Sequence, residues 1–232
     1  MSYTATGPGG LPLRRFTGIA GVAFTVLQVI EVPLYFVHDG APPDSNVLTR
    51  ILLSLVVLVL FLGFVTGVRE LIRRADPACG WVADIAHGAA LAYIAVTFVA
   101  HSLQAGEVIA ADEPVDPTIT AEGTYLLYGS IGRILTAVFL VAAGYAAVRS
   151  GLLSRWAARS AYVIALINLA FVPSLYFGND TGRFVSANGW GTTATIAGLY
   201  AYWVLAFGIA LLRHHNTRRY AGRPGSTSEN RR

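Results

Sequence analysis

The sequence contains no lysine, a single cysteine and few charges of either sign. Charged residues make up 13% of the 232 residues, whereas soluble domains average about 25%. So few charges cannot cover a water-exposed surface, which excludes a soluble enzyme, a disordered chain and a disulfide scaffold. The lone Cys79 allows no intramolecular disulfide and no cysteine metal cluster. Without lysine there is no site for a retinal Schiff base, so a rhodopsin is also excluded.

What the sequence does have is long apolar runs. Hydrophobic residues make up 54% of the chain, and its mean hydropathy is +0.55. A helix needs about 20 mostly apolar residues to cross a bilayer, and six runs reach that length. They predict an all-α fold, a polytopic bundle of six transmembrane helices in a lipid bilayer. The predicted spans are Phe16–His38, Val47–Val68, Trp81–Gln104, Tyr125–Val148, Trp156–Phe177 and Trp190–Leu212.

The charges are distributed unevenly between the two sides of the predicted bundle. The side that holds both termini carries 14 of the 17 arginines, and the opposite side carries eight of the 13 acids. By the positive-inside rule, both termini are expected in the cytoplasm. The exclusive use of arginine is typical of GC-rich bacterial genomes, so we expect a multi-pass protein of the bacterial inner membrane. The predicted organisation is a mobile segment 1–13, a transmembrane domain 14–214 and a basic disordered cytoplasmic tail 215–232.

Arg50, near the start of the second span, is assigned to the outer interface. Three charged residues then remain inside the predicted spans, and such residues are candidates for function by default. Asp84 is near the cytoplasmic edge, whereas Glu31 and Arg133 lie about 10 and 12 Å below the outer ends of their helices. We therefore predict either a direct Glu31–Arg133 pair or a polar chamber that both residues share. Such a pair could also serve only to hold helices together. The second span offers only Ser54 and Thr66, and is expected to be the most lipid-exposed.

Other polar residues of the spans are predicted to surround this chamber. The candidate catalytic residues are Glu31, Arg133 and His101. No metal-ligand spacing and no phosphate-binding or nucleophile motif is present, so we predict no metal, no cofactor and no nucleic-acid partner. The candidate ligand-binding residues are Gln28, Glu31, His101, Tyr125, Tyr128, Arg133, Asn168 and Thr195.

Two short segments carry a family resemblance. Residues 144–156, GYAAVRSGLLSRW, end one span and begin the next, and residues 14–21 read RRFTGIAG. These segments, with the length and the six-span layout, resemble bacterial membrane proteins, common in actinobacteria, that are grouped only as a domain of unknown function. Such proteins often have proline where this chain has Ser154. The resemblance implies the plan of the chain and assigns no active residue.

A second resemblance rests on general character and on no shared motif. The length, the acidic residue in a span and the aromatic-rich spans are similar to those of small integral-membrane terpene cyclases. That resemblance implies that Glu31 protonates an olefin or an epoxide, and that tyrosine and phenylalanine rings stabilise a carbocation.

Three functions remain open from the sequence. The first is a membrane protein that binds a small apolar or lipid ligand in the chamber around Glu31 and Arg133. The second is an intramembrane enzyme that acts on a lipid or isoprenoid substrate, with Glu31 as the acid. The third is a small proton-coupled transporter that uses the same two residues. The sequence leaves open whether the protein is an enzyme. It also leaves the oligomeric state open.

Overall fold

A computed structural model describes residues 10–38 and 40–221, with side chains for 11–38 and 40–213. Every regular element among these residues is helical, and six helices are long and apolar enough to cross a membrane. The predicted six-helix transmembrane bundle is confirmed, and the helices fit a multi-pass integral membrane protein. The spans are Leu11–Tyr35, Asp44–Ala75, Pro77–Ala110, Leu126–Arg149, Arg155–Phe177 and Gly191–Arg213.

Seven α-helices make up the described chain, of which α4 is a single turn in a connecting segment. The predicted mobile segment and tail fall mostly on residues 1–9 and 222–232, which lie outside the described residues. Of the rest, residues 10–13 belong to α1 and residues 215–221 to α7. The helices are α1 Gly10–Glu31, α2 Asp44–Ala75, α3 Gly80–Ala110, α4 Pro117–Thr120, α5 Gly132–Arg149, α6 Arg155–Ala170 and α7 Ile196–Ala221.

The bundle has two ends that differ in their connections. The terminal end holds the start of α1, the end of α7 and the short connections 76–79 and 150–154. The distal end holds the longer connections 36–43, 111–125 and 178–190. We call the corresponding halves of the bundle the terminal half and the distal half.

Helix α2 packs between α1 and α3, and a larger share of its most apolar window is buried than in any other span except Leu126–Arg149. Phe61, Phe64 and Ile72 on this helix are completely buried. The expectation that the second span is the most lipid-exposed is therefore wrong. That expectation counted polar residues only, whereas in a bilayer a helix is buried through close packing of apolar and small residues.

The terminal half is closely packed and its in-span charge is paired. Gly67 of α2 lies so close to Thr17 of α1 that a Cβ atom at Gly67 would lie 2.0 Å from the Thr17 hydroxyl oxygen. The Asp84 carboxylate accepts a hydrogen bond from Arg69 Nε at 2.6 Å and lies 3.3 Å from Arg73.

The helices of the distal half are irregular. After Glu31, α1 continues as a 3₁₀ helix through Pro33, and after α6 a second 3₁₀ segment, Val172–Phe177, contains Pro173. Proline explains both changes, because it lacks the N–H group that an α-helix requires. Two π-helical segments, Leu126–Ile131 and Gly191–Thr195, precede α5 and α7. Such segments are frequent at functional sites, and all four irregularities lie in one half.

Candidate functional site

The distal half encloses a cavity of about 690 Å³. Its wall is built from the distal parts of α1, α2, α3, α5 and α7, and it extends up to residues 40–42 and 181–182 of the distal connections. The remaining membrane-spanning helix, α6, contributes no lining residue. We call this cavity the distal chamber.

One wall of the distal chamber holds an acid and a base that come from neighbouring helices. The Glu31 carboxylate accepts hydrogen bonds from the Ser54 hydroxyl and, at 3.4 Å, from the Tyr35 hydroxyl. The Arg50 guanidinium lies over the Tyr35 ring, 4.2 Å from its centre, and the hydroxyl of the same tyrosine donates to Glu31. Glu31 and Arg50 are only 7% and 4% exposed, so this wall places a carboxyl group and a guanidinium in buried positions at the hydroxyl and the ring of the Tyr35 side chain.

The facing wall holds a second buried guanidinium. Arg133, at the start of α5, is 8% exposed and donates a hydrogen bond through Nη2 to the Thr192 carbonyl. The π-helical segment before α7 makes this carbonyl available, because the Ile196 N–H donates to Thr193 instead of making the α-helical bond to Thr192. An irregular helix on one side of the chamber therefore positions a charged side chain on the other.

A chain of hydrogen bonds joins the distal connections above Arg133. The Tyr128 hydroxyl donates to Asn188 Oδ1 at 2.5 Å, and Asn188 Nδ2 donates to the Thr118 carbonyl. These three residues line the chamber, and they come from segments about 60 to 70 residues apart in sequence. The contacts fix the connections 111–125 and 178–190 against one another at the upper part of the wall.

The floor of the distal chamber is aromatic. Phe24, Tyr93 and Tyr200 line it, and the Tyr200 ring lies 6.0 Å from Phe24 and 6.2 Å from Tyr93. Below them the completely buried Phe61 packs 5.5 Å from Tyr200. These edge-on contacts are those of a well-packed aromatic cluster, so the floor is a rigid apolar surface beneath polar walls.

Four polar side chains of the chamber keep an atom that has no hydrogen-bond partner among the described residues. These atoms are Gln28 Oε1, Arg50 Nε, His101 Nδ1 and Arg133 Nε. Buried polar groups are nearly always satisfied, because an unpaired group costs about 1–3 kcal/mol. Each of these atoms is itself buried, so the walls of the chamber hold polar groups that the described residues leave unpaired.

The structure brings together five of the eight predicted ligand-binding residues. Gln28, Glu31, His101, Tyr128 and Arg133 all line the distal chamber. Tyr125, Asn168 and Thr195 are not among the lining residues. Thr195 is exposed at the end of the π-helical segment before α7, and Asn168 is completely buried and donates to the Ile164 carbonyl of its own helix at 2.9 Å.

The two residues predicted to pair directly belong to opposite walls. Both side chains are described, and no Glu31–Arg133 ion pair is formed: Glu31 takes its hydrogen bonds from Ser54 and Tyr35, and Arg133 donates to Thr192. The direct pair is therefore wrong, because each of the two side chains has other hydrogen-bond partners. Of the two predicted arrangements, the shared chamber is the one that the structure contains.

Two features of the chamber were not predicted from the sequence. They are Arg50 of α2 and a row of polar side chains along one face of α3. Arg50 was assigned to the outer interface, but α2 begins at Asp44, which places Arg50 in its second turn and on the same face as Ser54. On α3, Tyr93, Thr97, His101 and Gln104 line the chamber together. Their spacing of four, four and three residues is a helical face, so this row was readable from the sequence.

The arrangement offers hydrogen-bond donors, acceptors and an apolar floor, and it offers no evident metal centre. Among the described residues, no group of three or more histidine, cysteine or acidic side chains is placed to hold a metal ion. Comparisons with protein-family models, with curated proteins and with solved structures give no match. The chemistry of the distal chamber therefore carries the functional argument.

Proposed function

We propose that the protein binds a small amphipathic molecule in the distal chamber. The observation that carries this proposal is the cavity of about 690 Å³ in which four lining side chains keep unpartnered polar atoms. Sites for small molecules have volumes of about 300–1,000 Å³ and combine apolar walls with a few convergent polar groups. The chamber has this size and composition.

The placement of polar and apolar groups favours a ligand with two unlike ends. The polar atoms belong to the walls, on Gln28, Arg50, His101 and Arg133, whereas the floor is formed by aromatic rings. A purely apolar ligand would leave the buried donors unpaired, and a purely polar one would leave the aromatic floor without apolar contact. An amphipathic molecule satisfies both surfaces.

The described conformation gives access to the chamber from one end. A carrier opens its site to the two sides of the membrane in turn, and this chamber is lined only from the distal half. Phe64, Leu140 and Phe207 below it are at most 1% exposed. In the described conformation these side chains close the terminal half to a ligand.

The test compares two substitutions on α3. Thr97 lines the chamber and is 7% exposed, whereas Val99 on the same helix is 52% exposed and points away from it. Native mass spectrometry of the protein with added 1-decanol or decanoate should show a 1:1 adduct. Thr97→Phe should reduce the adduct at least tenfold because the ring occupies the chamber. Val99→Phe should leave it unchanged. Equal adducts in Thr97→Phe and the unaltered protein would remove the distal chamber as the site.

We also infer that the distal end faces the outside of the cell, with both termini in the cytoplasm. The support is the arginine bias of the terminal end. In a Cys79→Ser background, Glu122→Cys in a distal connection should react with a membrane-impermeant maleimide in intact bacterial cells. Ala78→Cys, which is exposed in a terminal connection, should react only after lysis. The reverse pattern would invert the orientation.

A second candidate function is an intramembrane enzyme that uses Glu31 as an acid. It is favoured by the position of the Glu31 carboxyl group, which lines a cavity whose floor is aromatic. Such a floor would stabilise a carbocation formed when an epoxide or olefin is protonated. Membranes that contain the protein, given 10,11-epoxyfarnesol, should then yield a cyclised product. Glu31→Gln should abolish this product and Glu31→Asp should retain part of it. Identical products from membranes without the protein would end this alternative.

A further inference from the structure

We propose that the ligand is a carboxylate with an apolar tail and that Arg133 binds its anionic end. This inference rests on the proposed function, since it identifies the chemical class of the molecule that the distal chamber takes. It follows from a comparison of the partners of four charged residues. These are Glu31, Asp84 and Arg133 inside the predicted spans, and Arg50.

Arg133 is a buried charge without a counter-ion among the described residues. The residue is 8% exposed, its hydrogen bond goes to a neutral carbonyl, and its Nε–H has no partner in the described part of the chain. In the part of the chain that the structure describes, no carboxylate lies within 4.0 Å of it. An arginine at membrane depth without compensation costs at least about 2.5–3.5 kcal/mol, so the folded protein retains an expensive group.

The other in-span charges are compensated. Asp84 pairs with Arg69 and Arg73, and Glu31 accepts from two hydroxyl groups. Asp116, the second acid of the chamber wall, accepts hydrogen bonds from the Thr118 N–H and hydroxyl within its own turn. Arg50 also has no carboxylate within 4.0 Å among the described residues, but its guanidinium lies over the Tyr35 ring. Arg133 is thus the buried guanidinium whose described partner is only a neutral carbonyl, and the partner it lacks is an anion.

The free donors of Arg133 suit a carboxylate. A guanidinium offers five N–H donors in a planar fork that matches the two oxygens of a carboxylate. Nη2 donates to Thr192, and no hydrogen bond among the described residues uses Nη1 of this chamber-lining residue. A carboxylate can accept from Nη1 and from the second hydrogen of Nη2 while the Thr192 contact is kept.

The apolar floor begins next to Arg133. A Cβ atom at the neighbouring Gly132 would lie 3.4 Å from Cε2 of Tyr93, so the Tyr93 ring packs against the backbone that carries Arg133. Tyr93 leads to Tyr200 and Phe24 across the floor. A ligand whose carboxylate contacts Arg133 can therefore lay its tail along these rings without leaving the chamber.

The experiment compares ligands that differ only in their headgroup. Affinities of decanoate, decanamide and decylammonium are measured by native mass spectrometry on the full chain. A charge-assisted hydrogen bond contributes about ten- to hundredfold in affinity. We therefore expect decanoate to bind at least ten times more tightly than decanamide, and decylammonium to bind more weakly than either. Equal affinities of decanoate and decanamide would overturn the proposal.

Variants locate the preference on Arg133. Arg133→Gln should reduce the decanoate-to-decanamide ratio to below about threefold, and Arg133→Lys should retain part of it, because lysine keeps the charge and loses the fork. Arg183→Gln is the control, since Arg183 is exposed in a distal connection and should leave the ratio unchanged. A ratio unchanged in Arg133→Gln would overturn the assignment. If Arg133→Gln fails to fold, the headgroup series and Arg133→Lys decide.

Two further results separate the possible outcomes. Decanoate reaches the protein from the membrane, whereas hexanoate stays largely in water, so tighter binding of one or the other identifies the source of the carboxylate and supports the proposal either way. If decanoate and decanamide bind equally and Thr97→Phe removes both, only the headgroup assignment fails. If no decyl compound gives an adduct that depends on Thr97, both the headgroup assignment and the proposed function fail.

Discussion

The two halves of the bundle are built from the same helices and differ in almost every physical property. In the terminal half the helices are regular, glycine and alanine allow close contact, and the in-span Asp84 is paired with arginines. In the distal half four segments leave α-helical geometry, a cavity of about 690 Å³ separates the helices, and Arg133 has no counter-ion among the described residues. The difference indicates a division of labour in which one half stabilises the fold and the other holds the site.

This division has an energetic basis. Packing and hydrogen bonds between helices provide most of the stability of a bundle in lipid, since the bilayer is as apolar as the side chains. A half that gives up packing for a cavity must be held by the rest of the structure. Substitutions in the terminal half should therefore change stability, whereas those in the walls of the distal chamber should mainly change binding.

The largest loss of stability is expected from Phe64→Ala. Phe64 is completely buried and packs edge-on against Phe207 with ring centres 5.6 Å apart. Truncating a buried phenylalanine typically costs about 3–5 kcal/mol. Unfolding by SDS from maltoside micelles should report a loss of this size. Leu62→Ala on the exposed face of the same helix should cost less than about 1 kcal/mol. Equal losses of stability in the two variants would contradict the position of α2 between α1 and α3.

The next effect concerns the charged wall of the distal chamber. Arg50→Gln should destabilise the protein by about 2 kcal/mol, because it removes a buried cation from the face of the Tyr35 ring, whose hydroxyl donates to Glu31. Arg50→Lys, which keeps the charge, should lose less. The same SDS titration measures both.

A double mutant makes this prediction sharper. Glu31→Gln combined with Arg50→Gln removes both charges, and should be at least about 1 kcal/mol more stable than Arg50→Gln alone. If the two losses simply add, Arg50 and Glu31 do not interact.

The sequence predicted the bundle well and the site only in part, for a physical reason. Hydropathy is a property of a whole apolar run, so each of the six spans is still predicted when its ends are misplaced by a few residues. Faces were assigned from the 3.6-residue period of an α-helix. That period fails at the π-helical segments Leu126–Ile131 and Gly191–Thr195, where an extra residue in a turn rotates the chain by about 100°. Tyr125 precedes the first segment and Thr195 ends the second, and both miss the chamber.

The remaining errors have a different origin. Arg50 was assigned to the membrane interface because the apolar run begins at Val47, but Pro43 and Asp44 start the helix one turn earlier. The partner of a charge cannot be predicted from depth alone, since Ser54, Tyr35 and Arg50 come within reach of Glu31 only through the contact of α1 with α2. The role of the lining residues in ligand binding stays a prediction.

A smaller effect is expected where α1 and α2 touch in the terminal half. Gly67→Ala would bring a methyl group to 2.0 Å from the Thr17 hydroxyl and 2.9 Å from Thr17 Cβ, so the two helices must separate slightly. Overpacking of this kind costs about 1–3 kcal/mol. Gly88→Ala on α3 is the matched control, because nothing lies within 4 Å of the added atom. It should be neutral or slightly stabilising, and a greater loss at Gly88 than at Gly67 would contradict the described contact.

The smallest effect is expected at Asn168, the one predicted site residue that lies deep in the membrane yet outside the chamber. Asn168 Nδ2 donates to the Ile164 carbonyl within α6, and Oδ1 has no partner within the protein. Polar contacts in membrane bundles contribute about 0.6 kcal/mol on average, so Asn168→Ala should cost no more than about 1 kcal/mol in the SDS titration. The decanol and decanoate adducts should be unchanged, because α6 does not line the distal chamber. A loss of adduct without a loss of stability would extend the site to α6 and would weaken the division between the two halves.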